Sequence, residues 1–242
     1  MSEVLGRDLA ASMEASGALN EWDDLLDDPQ VVVDRDYSLA LRALDSGSMN
    51  PLVRIWRNRR ALVVPRSFRG RKGFADAVAR CCHPVLLRRS GGTTVMHGPH
   101  ILNLSLIAPI EKGALLSITG AYNQLGHIIL PELHRRGVPA ELMDVADAHC
   151  PGRFTIAVNG RKLAGTAAFV CQSQNNRAIV CHANLVLDEN QDDLKAITSF
   201  ERKLGFSPNY ASSAHTSLAA EIALVMGRTR IAPHSGRYTH HF

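Results

Sequence analysis

The chain has 242 residues, of which 45% are hydrophobic and 21% charged, a composition typical of a globular protein that needs no disulfide or metal staple. Its 27 Lys and Arg against 23 Asp and Glu give a net charge of +4, too small to indicate nucleic-acid binding but suited to an acidic protein partner. The five cysteines have no framework spacing, and no apolar run approaches the roughly 18 residues that span a bilayer. We therefore expect reduced thiols, no membrane contact and a cytoplasmic protein.

The N-terminal part of the chain is predicted to hold an arm, a helix and two strands. The first thirty residues are acidic and lack a second hydrophobic period, so we interpret residues 1–34 as an arm or capping helix. An N-cap at Asp36, followed by apolar residues at helical spacing, predicts a helix that ends at Gly47. Strands are expected at residues 52–56 and 61–64, and a basic loop at residues 66–72.

A glycine-rich segment and a long helix are predicted next. Strands at residues 85–88 and 102–107 are expected to flank the glycine-rich segment. Helical spacing of apolar residues predicts a helix over residues 118–134 that ends before Gly137. Pro131 is expected to kink or shorten its last turn.

The clearest local signal is a β-hairpin. Alternating apolar residues lead into Asn159-Gly160, a pair that favours the positive φ angles of a type I′ turn, and residues 161–170 return. A polar turn then leads to a third antiparallel strand at residues 178–187. Mixed strands and helices indicate an α+β fold with a mixed, largely antiparallel main sheet and flanking helices. Helices near residues 193–204 and 213–226 are expected to close it, before a basic, His-rich tail at residues 228–242.

The first candidate for chemistry is the run from Arg88 through Ser90, Gly91 and Gly92. Paired glycines after a strand let backbone N–H groups approach a ligand closely, and an arginine can bind a carboxylate or phosphate. A plain Gly-Gly turn beside a solvated arginine pair would leave the same pattern. Both interpretations stay open on these residues alone.

A second candidate is Lys162, directly after the hairpin turn. A rigid hairpin would hold this lysine, and the small residues beyond it, Gly165 and Thr166 among them, leave room for a ligand. The alternative is an ordinary exposed lysine at the end of a strand.

A third candidate is Cys150. The following Pro151 favours an extended conformation and places the thiol at the rim of a loop, where Lys162 can stabilise a thiolate. His149 is a poor candidate for a base, because adjacent side chains of an extended chain point to opposite faces. A buried structural cysteine is the alternative here, and the other four cysteines are taken as core or incidental.

Metal and nucleotide sites have no supporting pattern. Adjacent Cys-His pairs diverge on a strand, and neither a Cys-x-x-Cys nor a His-x-x-x-His spacing occurs, so no metal is expected. A Walker loop and a Gly-x-Gly-x-x-Gly run are also missing.

Taken together, these segments resemble the superfamily of lipoate-protein ligases, octanoyltransferases and biotin ligases. The glycine-rich run with the strand at residues 102–106 resembles its acyl-pocket motif, and residues 160–165 resemble its lysine hairpin. Cys150-Pro151-Gly152 is particularly similar to the cysteine-dependent amidotransferases that move an octanoyl group from glycine cleavage protein H to other lipoyl domains. The resemblance covers roughly residues 35 to 205.

The resemblance implies a biotin/lipoate ligase-like catalytic domain at residues 35–227 and an acyltransferase. Cys150 would attack an octanoyl or lipoyl donor to form a thioester, and Lys162 would stabilise the oxyanion. The acceptor would be a lysine of a lipoyl carrier domain, either glycine cleavage protein H or a dehydrogenase E2. The acyl group would lie against Arg88, Ser90, Gly91, Gly92, His97, Asn103, Gly165 and Thr166, and the acidic carrier would dock on Arg66, Arg69, Arg71 and Lys72.

Departures from the ATP-using branch favour a reaction without a cofactor. Those ligases usually have a third glycine where Thr93 stands, an acidic residue near Gly98 and an accessory domain, for which the chain beyond Leu204 is expected to be too short. The run His97-Gly98-Pro99-His100 matches only half of the motif of transferases that use acyl carrier protein, which leaves the donor open. The alternatives are a ligase that needs ATP and Mg²⁺ to form an acyl-adenylate, and a non-catalytic module that binds the acyl group or the carrier.

Overall fold

The computed structural model describes residues 2–15, 21–23 and 28–231. This part of the chain holds six α-helices, two short 3₁₀ turns and ten strands. The helices are α1 (Ser2–Ala15), α2 (Pro29–Asp45), α3 (Phe74–Ala79), α4 (Ile118–Arg135), α5 (Gln191–Lys203) and α6 (Leu218–Ile231). The strands are β1 (Glu21–Asp23), β2 (Leu52–Trp56), β3 (Ala61–Pro65), β4 (Val85–Arg88), β5 (Val95–His97), β6 (Ile101–Ile110), β7 (Ala140–Met143), β8 (Thr155–Val158), β9 (Arg161–Ser173) and β10 (Asn176–Val186).

The described strands form two sheets. The large sheet has the order β1-β2-β6-β10-β9-β8-β7, and its neighbours are antiparallel except for the β1–β2 pair. The small sheet has the order β4-β3-β5, with a parallel and an antiparallel pair. The predicted α+β fold with a mixed, largely antiparallel main sheet is confirmed.

The predicted hairpin is the β8–β9 connection. Asn159 has a φ of 50° and Gly160 a φ of 73°, so both central residues take the left-handed conformation that the sequence favours. The turn fixes the register in which Val158 pairs with Arg161. Lys162, the next residue, therefore lies near the start of the long strand β9, in a stretch of it that is buried.

Helices cover both faces of the large sheet. The side chains of α4 and α1 pack on one face, in a core that includes Leu9, Leu125 and Ile129, and α2 packs on the other face against β6, β9 and β10. The α3 and α5 helices cover the small sheet. Pro131 is exposed within α4, and the helix continues to Arg135, so the predicted shortening does not occur.

The predicted start of α2 is wrong. The helix begins at Pro29, and the Asp28 carboxylate caps it by accepting bonds from the backbone N–H groups of Gln30 and Val31 at 2.8 and 3.4 Å. Asp36 lies inside the helix, where its buried carboxylate accepts a 2.6 Å bond from Arg54. The Asp36 carboxylate, which the sequence pattern predicted to cap the helix, instead joins α2 to β2 through Arg54.

The predicted segments at the two ends of the chain do not follow the bounds of the helices. The α1 helix contacts α4, and α2 crosses the predicted boundary between residues 1–34 and 35–227. The helix predicted near residues 213–226 begins later, at Leu218, because residues 212–214 form a 3₁₀ turn. Most of the tail predicted at residues 228–242 lies outside the described residues, so the division of the chain stays a prediction. Among the described helices, none has the length and apolar character to cross a membrane.

Candidate active site

A cavity lies between the large sheet, the small sheet and α2. Six of the residues predicted to bind or react with the substrate line it: Arg88, His97, Asn103, Cys150, Gly165 and Thr166. The other lining residues are Val33, Asp36, Tyr37, Trp56, Val63, Arg89, Val95, Ala167, Phe169, His182 and Asn184. The remaining predicted residues, Ser90, Gly91, Gly92 and Lys162, contact lining residues from outside the cavity.

Cys150 brings its thiol to this cavity on a tight turn. The residue has a φ of 47°, so the extended conformation predicted from the following Pro151 is wrong. The turn is held by Lys162, which donates to the carbonyl oxygens of both His149 and Cys150. The Cys150 sulfur is half-buried and accepts a hydrogen bond from the backbone N–H of Thr93 at 3.2 Å. This hydrogen bond holds the sulfur against the glycine-rich loop.

Arg88 fixes the loop that supplies this N–H group. Its guanidinium donates to the carbonyl oxygens of Val63 at 2.7 Å, Gly91 at 2.9 Å and Thr93 at 2.5 Å. Burial lowers the pKa of Arg88 to about 10, so the group stays charged at neutral pH. The arginine therefore positions the backbone around Cys150, and direct contact with an acyl group stays a prediction.

Gly92 lets this loop approach the sulfur. Its φ is 96°, and a Cβ atom built there would lie 2.7 Å from the Cys150 sulfur and 3.2 Å from a nitrogen of Arg88. Both the backbone conformation and the close approach thus require glycine. No other residue type fits the position without moving the thiol.

We expect Gly92→Ala to lower acyl transfer about tenfold or more and to destabilise the fold by about 1–2 kcal/mol, because it strains the backbone and displaces the thiol. Gly91→Ala is the matched control, since a Cβ there meets no atom within 4 Å. Rates and urea unfolding of the two variants check the prediction. Equal behaviour of the two variants would contradict it.

Lys162 is buried behind the Cys150 turn. Its ammonium donates to the carbonyl oxygens of His149 at 2.5 Å and Cys150 at 3.1 Å. Burial lowers its pKa to about 8, while the negative charge of the Cys150 thiolate opposes that shift. A Cβ on Gly165 would lie 3.1 Å from the Lys162 nitrogen, so this glycine makes room for the lysine side chain as well as lining the cavity.

Two histidines of the cavity, the buried His97 and the half-buried His182, are held in their neutral form. Burial and the charge of Arg88 lower the pKa of His97 to about 3. Burial lowers the pKa of His182 to about 4, although the charge of Asp36 opposes the shift. One ring nitrogen of His182 lies 3.0 Å from the Ser90 hydroxyl, which ties the glycine loop to β10.

These histidines predict a loss of stability in acid. Their pKa values in the folded protein lie below the unfolded value of about 6.5. Their contribution to the free energy of unfolding is therefore complete above pH 6.5 and is lost as pH falls toward 4. The expected slope is up to about 1.4 kcal/mol per pH unit for each histidine. Urea unfolding of wild type and His182→Gln from about pH 7 to 4 measures it. The variant should have a shallower slope than wild type and than His134→Gln, a surface control; equal slopes would contradict the prediction.

Several groups around the site were missed by sequence reasoning. The buried Glu201 carboxylate on α5 accepts bonds from the Thr94 backbone N–H at 3.0 Å and the Tyr210 hydroxyl at 2.7 Å. The Asp36–Arg54 pair closes the cavity beside α2, with Asp36 also accepting a 2.7 Å bond from Ser105. These partners come from distant segments, and no local pattern marks them.

The predicted carrier surface is exposed. Arg66, Arg69, Arg71 and Lys72 all lie at the surface, in and just after a 3₁₀ turn at Arg66–Gly70. Arg66 pairs with Asp34 at 2.7 Å, and Arg71 lies 4.1 Å from the ring centre of Phe206. In the described ranges, no cluster of His, Cys, Asp or Glu residues is arranged to hold a metal ion.

The two-sheet architecture is that of lipoate-protein ligases. A crystal structure of lipoate-protein ligase A bound with ATP superposes with a TM-score of 0.52 and 18% identity, over 88% of this chain and 86% of that one. This likeness concerns the fold alone. The catalytic-domain model of the lipoyl protein ligase A/B family matches residues 28–229, so the chain belongs to that family. The predicted superfamily is confirmed.

Two curated relatives of this chain share one description. An octanoyl-GcvH:protein N-octanoyltransferase of Kyrpidia tusciae is 31% identical over 68% of this chain and 64% of its own length. A protein with the same description from Anoxybacillus flavithermus is 29% identical over 51% of this chain and 45% of its own length. The chain therefore spans less than two thirds of the length of these relatives.

Proposed function

We propose that this protein is an acyltransferase that moves an octanoyl or lipoyl group through a thioester on Cys150 to a lysine of a lipoyl carrier domain. The observation that carries the proposal is the position of the Cys150 sulfur. It lies at a cavity with several apolar walls, accepts the Thr93 N–H group and stands on a turn held by the Lys162 ammonium. A nucleophile, a cavity with apolar walls and a cation thus occur together, which supports the proposal.

The first step transfers the acyl group to the protein. The Cys150 thiolate attacks the amide carbonyl carbon of an acylated lysine, forming a C–S bond and a tetrahedral oxyanion. The oxyanion collapses, the C–N bond breaks, and the proton lost by the thiol ends on the leaving lysine amine. Lys162 has three N–H donors, and the two carbonyl contacts recorded in the described residues leave the third for the oxyanion.

The second step transfers the acyl group to the acceptor. A neutral lysine amine attacks the thioester carbonyl, the C–S bond breaks, and the proton lost by the amine restores the Cys150 thiol. Amide is exchanged for amide, so the reaction needs no external source of energy. This balance supports the proposal that the protein uses no cofactor, in contrast to a ligase, which must consume ATP to activate a free acid.

The proposed donor and acceptor are both lipoyl carriers. The names of the relatives specify GcvH as the donor of the octanoyl group. For this chain we propose the same class of donor, glycine cleavage protein H, with a dehydrogenase E2 lipoyl domain as an acceptor. The wall residues Trp56, Val95 and Phe169 suit an octanoyl or lipoyl tail, and the basic surface around residues 66–72 suits an acidic carrier.

Reversing two surface charges tests the docking surface. We expect Arg69→Glu combined with Lys72→Glu to raise the KM for the carrier at least about tenfold and to leave kcat within twofold, because the pair acts on encounter and not on the acyl step. Lys112→Glu is the control. This exposed lysine follows the last residue of β6, whereas the cavity residue Asn103 lies near the first residue of that strand. An unchanged KM in the double variant would contradict the assignment of the surface.

A transfer assay without nucleotide tests the function itself. Octanoylated glycine cleavage protein H and an unmodified E2 lipoyl domain are mixed with the protein, and the mass of each carrier is followed. Gain of one octanoyl group by E2 with matching loss from the donor supports the proposal. Transfer only with free octanoate, ATP and Mg²⁺ would support the ligase alternative, and carrier binding without transfer in either assay would support a non-catalytic module.

A further inference from the structure

A segment far along the chain contacts both parts of the proposed site. In residues 211–216, the Ala211 backbone N–H donates to the Asp147 carbonyl at 2.9 Å, on the approach to the Cys150 turn. The Thr216 N–H donates to the Lys162 carbonyl at 2.9 Å, and an isolated parallel bridge joins Lys162 to His215. The segment therefore connects the cysteine turn to the lysine strand.

The protons on the His215 ring follow from its partners. Its Nδ1 lies 2.8 Å from the carbonyl oxygen of Ala211, which only accepts, so Nδ1 carries the proton. In the neutral ring Nε2 is then an acceptor. It receives the His149 backbone N–H at 3.1 Å and lies 2.9 Å from Nδ1 of the His149 ring, which donates to it.

His149 is thereby held from two sides. His215 accepts its backbone N–H, while the Lys162 ammonium donates to its carbonyl oxygen at 2.5 Å. The next residue, Cys150, is held at a φ of 47°, a conformation that a residue with a side chain adopts only where its surroundings enforce it. The position of the Cys150 turn against the Lys162 ammonium thus depends on the hydrogen bond that His215 accepts from His149.

We infer that His215 is a positioning residue for the acyl-transfer step, which in its neutral form holds the Cys150 turn in register with Lys162. The inference rests on the proposed function. A proton on Nε2 would replace the acceptor by a donor that faces two other donors, and it would place a positive charge near the Lys162 ammonium. Protonation of His215 would therefore release the turn.

The surroundings of the ring favour its neutral form. Burial is the largest cause that lowers the pKa of His215, and the charge of Lys162 lowers it further, while hydrogen bonds to the backbone of Ala211 and Ser212 oppose the shift without reversing it. Its ring stacks on that of His149 with centres 4.9 Å apart, and the Tyr210 ring packs edge-on against His149. The titratable groups recorded around it in the described residues are thus Lys162, His149 and, one layer beyond, Tyr210.

Two substitutions separate the acceptor from the proton. His215→Leu removes the acceptor, and we expect it to lower the rate of acyl-Cys150 formation about tenfold to a hundredfold near neutral pH, with little change in the donor KM. His215→Gln keeps an acceptor oxygen near the place of Nε2 but does not titrate. It should restore most of the neutral rate and keep a larger fraction of that rate at about pH 5 than wild type does.

The rates are measured by intact mass with octanoylated glycine cleavage protein H as donor, from about pH 5 to 8. His134→Leu is the control, because this histidine also contacts a backbone carbonyl, that of Ala140, away from the cavity. A wild-type rate in His215→Leu, or an acid loss in His215→Gln equal to that of wild type, would overturn the inference. A wild-type protein that forms no acyl-enzyme would contradict the proposed function instead. The pH profile of the glutamine variant decides the question even if the leucine variant unfolds.

Discussion

Replacing Cys150 by alanine is expected to lower octanoyl transfer between carriers at least about a thousandfold. The substitution removes the sulfur proposed to receive the acyl group, and no other cysteine of the described chain lines the cavity. Stability should change little, because the thiol is half-buried and alanine leaves its backbone contacts in place. The measurement is the rate of acyl gain by the acceptor, followed by mass.

Cys82→Ala is the matched control for that loss. Cys82 is an exposed thiol outside the cavity, so its removal should leave the rate within about twofold of wild type. Carrier binding by Cys150→Ala should remain, since the basic surface is unchanged. Transfer by Cys150→Ala at the wild-type rate would refute the role of the thiol and favour direct acyl transfer from an activated donor.

The second large effect is expected at Lys162. Lys162→Met should lower kcat about a hundredfold to a thousandfold, because it removes the cation proposed to stabilise the oxyanion and releases the carbonyl oxygens of His149 and Cys150. The unfolding midpoint should stay close to that of wild type, because an apolar chain of similar length replaces a desolvated charge. Loss of activity at an unchanged midpoint would exclude global unfolding as its cause.

The pH profile gives a second readout of the lysine. Burial lowers the pKa of Lys162 to about 8, so the ammonium is lost as pH rises through about 8, and kcat should fall there. In Lys162→Arg the charge persists, so any remaining activity should not fall in that range. The measurement is kcat from about pH 6.5 to 9.5. A wild-type rate that stays constant across this range would contradict the requirement for the ammonium.

Short sequence patterns predicted the parts of the fold that depend mainly on neighbouring residues. Asn159-Gly160 admits the positive φ angles of one turn type, and the apolar alternation on either side sets which faces of the strands are buried. The position of Lys162 at the start of its strand follows from that turn. Cys150 and the glycine-rich run were candidates from their residues alone, and the resemblance to lipoate ligases gave them their expected roles. The structure places Cys150 and Arg88 in the lining of one cavity, and Gly91 and Gly92 contact these two residues from outside it.

What the sequence did not predict depends on contacts between distant segments. The Asp28-Pro29 pair is a cap and first-turn signal that outweighs the one at Asp36, but only the buried Arg54 explains why Asp36 belongs inside the helix. The left-handed conformation of Cys150 opposes the extended conformation that the following proline favours. The hydrogen bond that holds the His149 backbone is accepted by His215, 66 positions away. Tertiary contacts thus override local preference at the proposed site.

The central claim is a covalent acyl group on Cys150, and intact mass of the protein tests it most directly. After incubation with octanoylated glycine cleavage protein H and no nucleotide, we predict a gain of one octanoyl group that neutral hydroxylamine removes and that Cys150→Ala lacks. The acyl-enzyme, once separated from the donor, should pass the group to an unmodified lipoyl domain. Transfer to the acceptor with no acyl group ever detected on the protein, or a strict requirement for ATP, would contradict the account.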